Sequence, residues 1–249
     1  MIILVSNDDG IDSEGLVALE EALKNLGEVH TVAPDRVQNS MSHALTLHRP
    51  LRVHEAGPRR LAVDGTPTDC VKLALSGLIP VRPDLVVSGI NKGPNLGDDI
   101  IYSGTVSAAI EATLLGIPSV AVSLVSFRDF VFEAAAEFAA ALAARVMEKG
   151  LPKGTLLNVN VPPEPKREMK GWKLTRMGKR HYKEEVVERV DPRGRKYYWI
   201  GGDDLGYAEE DGTDCVAVHA GYISVTPLHV DLTNHRFLSE VTPFTFRWP

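Results

Sequence analysis

Cysteine is almost missing: Cys70 and Cys215 are the two thiols in a chain of 249 residues. Two thiols in that length make no disulfide framework, which points to a reducing compartment. Long apolar runs are missing as well. The Ala-rich stretch 134–144 is broken by Glu137 and followed by Arg145, far short of a membrane span. The start, "MIILVSND", has neither the basic region nor the apolar stretch of a signal peptide. Excess positive charge is also missing, with 27 Lys and Arg against 33 Asp and Glu. A general nucleic-acid binder needs the reverse balance to displace counterions. A small anionic substrate is not excluded, because local charge decides that. There is no internal repeat and no low-complexity tract. The expectation is a cytoplasmic protein with no membrane contact and no specific nucleic-acid partner. A hydrophobic content of 44% and a charged content of 24% are ordinary globular usage. The length suits one large domain, 1–249, with a substantial core.

What is present reads as alternating strands and helices. Ile2–Ser6 has the pattern of a buried strand. Ser13 caps a segment in which Leu16, Leu19, Leu23 and Leu26 recur at helical spacing, closed by Gly27. "VHTVAP" is a second strand. Extended segments follow around 45–54 and 60–64. A helix starts at Thr66–Pro67, "PDLVVSGIN" is a strand, and a helix runs from Thr105 to Leu115. "SVAVSLV" is a strand, a long helix covers about 129–148, and "GTLLNVNVP" and "GYISVTPLHVDLT" are further strands. This order predicts an α/β fold, a Rossmann-like, mostly parallel sheet flanked by helices. The segment 166–196 holds 12 Lys and Arg against 5 Asp and Glu, a net +7 that leaves −13 for the rest. Its "DPRGR" reads as a turn between two extended arms, so a basic β-hairpin arm is expected over about 166–200. The tail 231–249 ends "FTFRWP", an aromatic end suited to docking on its own core or on a second subunit.

The functional signal begins at "SNDDG". Neighbouring side chains in a strand point to opposite faces. Asp8 and Asp9 therefore converge only where the backbone turns, and Gly10 makes that turn easy. Ligands of open α/β sheets bind beyond the carboxyl ends of strands. Two converging carboxylates repel unless a cation lies between them, and a hard divalent ion suits them. The loops after "VAP" and "VVSGIN" reach the same edge. They carry Asn39, Ser40, Ser42 and His43, then Ser88, Asn91, Lys92 and Asn95. Carboxylates with amide or hydroxyl oxygens make a Mg²⁺ or Mn²⁺ donor set. Ser103, Gly104 and Thr105 stand at a helix start, where free N–H groups bind phosphate. Each feature alone has an ordinary structural explanation; together they form a phosphoryl-transfer layout.

"NDDG", "VAPDR", "SGINKGPNLG" and "IYSGTVSAAIE", in that order, resemble the SurE (survival protein E) family of stationary-phase nucleotidases. "VDGTPTDCV" extends the resemblance through the first half of the chain. It implies a metal-dependent phosphatase acting on nucleoside monophosphates as a 5'-nucleotidase, with 3'-nucleotidase, acid phosphatase or polyphosphatase activity as further readings. It also implies one divalent ion per subunit and a homodimer or homotetramer built partly by exchanged C-terminal segments, which makes the tail an oligomerisation segment. The family's metal ligands carry over to Asp8, Asp9 and Asn91. The fourth is a serine in the family; here that position holds Asn39, whose amide oxygen is expected to take the role, with Ser40 beside it as the alternative.

In the expected chemistry the ion polarises a phosphate oxygen and acidifies a water that attacks phosphorus. Asn91, Lys92, Asn95 and Ser103–Thr105 hold the phosphoryl oxygens. Asp8 and Asp9 are the catalytic acids, with Asp8 the better base, and His43 is a candidate general acid. Other phosphatase designs fit worse. Six positions after Cys70 is Ser76 and after Cys215 is Gly221, so no cysteine–arginine phosphate loop exists. Gly10 stands where an Asp-x-Asp nucleophile motif needs its second acid. Two alternatives stay open: a receiver-type signalling domain, for which Asp64 is the candidate phosphoacceptor, and a nucleotide-binding protein without turnover.

Overall fold

The computed structural model describes residues 1–182, 185–201 and 204–240. The chain opens with β1 (Ile2–Ser6), α1 (Glu14–Leu23) and β2 (Glu28–Pro34). A hairpin of β3 (Val53–Gly57) and β4 (Arg60–Val63) is next. Then come α2 (Pro67–Leu73), β5 (Leu85–Lys92), α3 (Gly104–Leu114), β6 (Ser119–Leu124), α4 (Glu133–Lys149) and β7 (Thr155–Val161). Short strands succeed them: β8 (Trp172–Leu174), β9 (Arg180–Tyr182), β10 (Glu185–Val190), β11 (Lys196–Gly201) and β12 (Asp204–Tyr207). α5 (Asp214–His219), β13 (Ile223–His229) and α6 (His235–Glu240) complete the described chain.

Nine strands form one sheet in the order β3-β4-β2-β1-β5-β6-β7-β13-β8. The six from β4 to β7 run parallel, and β3 and β13 run antiparallel to their inner neighbours. The predicted α/β fold with a mostly parallel sheet is what forms. Both faces of the sheet are covered, which is why the central strands read as continuous apolar runs. Ile3 and Val5 pack with Leu16, Leu19 and Leu23 of α1 and Ala135 and Ala139 of α4. Leu4, Val32 and Val86 face the other way, onto Cys70 and Val71 of α2 and Ala108 and Ala112 of α3. Each fully buried leucine contributes roughly 1.5–3 kcal/mol. From β1 the sheet grows through β2 on one side and β5 on the other, so a crevice opens at the carboxyl ends of β1 and β5.

The boundaries differ from the sequence reading in four places. α1 stops at Leu23, with Lys24 as its last cap, and Leu26 and Gly27 lie past it. The extended stretch expected from 45 is a strand only from Val53. The long helix starts at Glu133, four residues later than expected. Within the basic segment, Trp172–Leu174 pairs with β13 and so belongs to the main sheet. Among the described residues β10 and β11 pair only with each other, joined through the "DPRGR" turn, and β9 pairs with β12. α6 is exposed throughout; "FTFRWP" lies outside the described residues. Among the described residues no helix is long and apolar enough to cross a membrane.

Candidate active site

The acidic pair sits on a turn braced from within. Buried Asn7 donates its side-chain amide to the Gly10 carbonyl at 3.0 Å and to the Ser13 hydroxyl at 2.7 Å. Asp8 and Asp9 leave this turn into different surroundings. Asp8 is 4% exposed. Its carboxylate accepts the Thr105 N–H at 3.1 Å and the Thr105 hydroxyl at 2.5 Å. Its backbone carbonyl accepts the Gln38 N–H at 2.7 Å, which ties the loop bearing Asn39 to the acid. Asp9 is half-buried and accepts the Lys92 N–H at 3.0 Å. Burial raises both carboxyls. Asp8 is pushed up to about 6; the Thr105 hydroxyl pulls against burial and the charge of Asp9 adds to it. For Asp9 the opposing pulls are the Lys92 N–H and the Lys92 charge.

Two glycines let the other elements reach the pair. A Cβ on Gly104 would lie 2.8 Å from the Asp8 Cβ and 2.9 Å from its Oδ2, so only glycine lets α3 start there. On β5, Ser88 pairs with Ala121 and Asn91 with Ser123. Gly89 and Ile90 thus face the single residue Val122, a bulge. Gly89 has φ +134°, and a Cβ there would stand 2.3 Å from the Val122 carbonyl oxygen. A bulge re-aims the residues beyond it, and Asn91 through Asn95 turn into the crevice.

The result is a pocket of about 580 Å³. Asp8, Asn39, Ser40, Asn91, Asn95 and Ser103, all named from the sequence, are brought together in its lining. Asn91 donates its amide nitrogen to the Gly93 carbonyl at 2.9 Å, so its oxygen is the atom it presents to a ligand. Asn95 is fixed by a buried network. Its N–H donates to Asn160 Oδ1, its side chain to the Ser123 hydroxyl, and its carbonyl accepts from Asn158 and Asn160. Ser103 caps α3 by accepting the Val106 N–H at 3.1 Å.

Other predicted residues take different parts. Both donors of Thr105 go to Asp8, so it holds the acid and does not face phosphate. Gly104 serves by close approach. Lys92 borders the pocket, but its ammonium pairs with Glu14 at 2.9 Å and lies over the Phe130 ring. Asp9 opens onto a neighbouring hollow beside Lys92. His43 is outside the pocket lining. Its Nε2 lies 3.0 Å from Glu111 Oε2, while Lys72 holds the other oxygen at 3.1 Å. Ser42 donates to the Ile101 carbonyl and Ser88 is fully buried.

The sequence reading missed Asp99, Tyr102, Phe127, Arg180 and Tyr182, which also line the pocket. It also missed Asn158 and Asn160. The signal for these two was present: amides at i and i+2 put polar groups on one face of a buried strand. Among the described residues no three His, Cys, Asp or Glu gather as a metal cluster. Adjacent carboxylates with amide and hydroxyl oxygens are nevertheless a hard-oxygen donor set of the kind that suits Mg²⁺ or Mn²⁺, and burial, with the charge of Asp9 added, pushes the Asp8 carboxyl up.

The sequence model described as "Survival protein SurE" matches residues 3–184. This chain belongs to the SurE family. The 5'-nucleotidase SurE of Geotalea daltonii is 56% identical over 240 residues, covering 96% of this chain and 97% of that protein. The 5'-nucleotidase SurE of Geobacter sulfurreducens is 57% identical over 240 residues, covering 96% and 92%. The crystal structure of the SurE protein from Aquifex aeolicus matches with a TM-score of 0.87 at 47% identity, over 97% of this chain and 98% of that one. SurE relatives that match from end to end leave no support for the receiver reading. Asp64, its proposed phosphoacceptor, pairs instead with Arg49 at 3.1 Å and Arg52 at 3.9 Å, away from the pocket.

Proposed function

We propose that this protein is a metal-dependent phosphatase that hydrolyses nucleoside monophosphates to nucleoside and phosphate, as a 5'-nucleotidase. The observation that carries the reading is the junction of Asp8 with the start of α3: a buried carboxylate and a helix N-terminus share one pocket wall. Asp8, Asp9, Asn91 and either Asn39 or Ser40 would hold one Mg²⁺ or Mn²⁺ ion. Bound there, it supplies a Lewis acid for the phosphoryl oxygens and a more acidic water. The chain's own groups do the rest. Thr105 fixes both oxygens of Asp8, which accepts the proton of the attacking water. Ser103, the cap of α3, lines the pocket and sets the phosphate beside the positive end of the helix. The Asn158–Asn160 network keeps Asn95 rigid against the growing charge. Buried, unpaired Cys70 and Cys215 support a reducing, cytoplasmic setting.

The test is phosphate release from AMP, with and without chelator, on wild type and Asp9→Asn. Release should need the metal and fall at least 100-fold in the variant. Equal rates in all four arms would remove the mechanism, and AMP binding with no release in Mn²⁺ would favour the non-catalytic reading. We also propose a homodimer or homotetramer. The arm displays Val186, Tyr198, Trp199 and Ile200 to solvent, and Leu232 and Leu238 are exposed near the C-terminus. Apolar display on this scale fits association with a second copy.

A further inference from the structure

We propose that the pocket's second side is a nucleobase platform, formed by Tyr102 and Phe127 and braced by Asp99, Arg180 and Tyr182. This rests on the phosphatase reading above and adds how the leaving nucleoside is recognised. The volume comes first: about 580 Å³ is the size of a site for a whole small molecule, well beyond a phosphate alone. The topology then separates two ends. β1, β5 and β6 are adjacent in the sheet, with Asp8 just past β1, Asn91 at the end of β5 and Phe127 three residues past β6. At about 4.8 Å per strand, Phe127 follows the strand roughly 10 Å across from that of Asp8. That leaves a ribose-sized gap between a phosphate at Asp8 and a ring at Phe127.

The side chains at this end suit a flat ligand. Phe127 is 78% exposed and Tyr102 64%, on the wall of the pocket that also holds Asp8 and Asn91. A Cβ on Gly93 would lie 3.9 Å from both the Phe127 ring and the Asn91 amide, so the ring and the amide flank Gly93 within the same pocket. Tyr102 caps the turn Gly97–Ile101, which also carries Asp99. Asp99 accepts from Arg180 at 2.7 Å and from the Tyr182 hydroxyl at 2.5 Å. The Arg180 guanidinium lies 4.9 Å from the Tyr182 ring centre. β9, at the root of the basic segment, is thereby pinned to the turn that bears Tyr102. Stacking on aromatic rings depends little on which base is present. The platform therefore predicts broad base tolerance, with purines ahead of pyrimidines because they cover more ring area.

The experiment compares kcat/KM for AMP and for ribose 5-phosphate, which lacks the base. In Phe127→Ala and Tyr102→Ala the ratio of the two should fall about 10- to 100-fold, mostly through KM for AMP, and Phe127→Trp should restore it. An unchanged ratio in both alanine variants would overturn the platform. Equilibrium dialysis with adenosine reads the same site without turnover. Wild type should retain adenosine and Phe127→Ala should not. If wild type hydrolyses neither ester, the phosphatase reading fails, while dialysis still decides the platform: no adenosine retained by wild type would sink it.

Discussion

Asp8 is the residue whose environment is most demanding. Its carboxyl, ordinarily near 3.8, is pushed up to about 6, chiefly by burial. In chelated protein the folded state therefore holds this proton more tightly than the unfolded chain does. Stability then falls as pH rises from about 4 to about 6, and stays reduced above that. A difference of this size corresponds to about 3 kcal/mol. Asp8→Asn removes the charge and keeps the shape, and the Thr105 hydroxyl can turn to accept from the new amide. We expect it to raise the stability of chelated protein at pH 7.5 by about 1–3 kcal/mol, with little effect at pH 4, while activity is lost. Added Mn²⁺ should reverse the order, because only wild type keeps the full ligand set. Urea titrations at the two pH values read this directly, and a variant no more stable than wild type at pH 7.5 would contradict it. The pair itself was legible in the sequence because two acids at a strand end are anomalous. Thr105 was legible as a helix-start residue, but not its aim. An anion-binding turn and a carboxylate-holding turn use the same residue types, and only the approach of α3 to β1 decides between them.

At the scale of elements, the parallel sheet was legible because strands buried on both faces leave unbroken apolar runs, and because Ser13, Thr66 and Ser103 mark helix starts. The β5 bulge was not, since nothing in "SGIN" distinguishes a bulged glycine from a turn glycine. Nor was the contribution of β9, a three-residue strand too short for any period to show. Where two elements meet without a side chain between them, the consequence is testable. The Cβ of Gly104→Ala would meet Asp8 and, at 3.1 Å, Pro67 at the start of α2. None of these can withdraw cheaply, because Asp8 is held by Thr105 and Pro67 opens a capped helix. α3 must then move off β1. Overpacking of this kind costs about 1–3 kcal/mol, so the variant should fold with a lowered Tm. Phosphate release should fall at least 100-fold, since a shift of about 1 Å at the reacting groups is enough for that. Near-normal activity at a lowered Tm would mean that the α3 start is not part of the chemistry.

The whole molecule is divided in charge: residues 166–196 carry +7 on a chain whose remainder carries −13. Two copies of such a chain attract wherever the arm of one meets the acidic body of the other. Long-range attraction of this kind speeds encounter and weakens with salt. Charge alone would give only loose association, because exposed ion pairs contribute little. Lasting affinity comes from buried apolar anchors, aromatic ones above all, and the arm carries them: Trp199 is 64% exposed and Ile200 95%. The two contributions separate by experiment. Trp199→Asp with Ile200→Asp should shift sedimentation toward smaller species at every salt concentration, because both anchors would have to bury a charge. Salt alone should slow assembly of wild type without dissolving the final oligomer. Since among the described residues β10 and β11 pair only with each other, the double variant should leave the Tm of the main sheet nearly unchanged. If the variant sediments as wild type does, or if wild type itself sediments as a monomer, the proposed association through the arm is wrong.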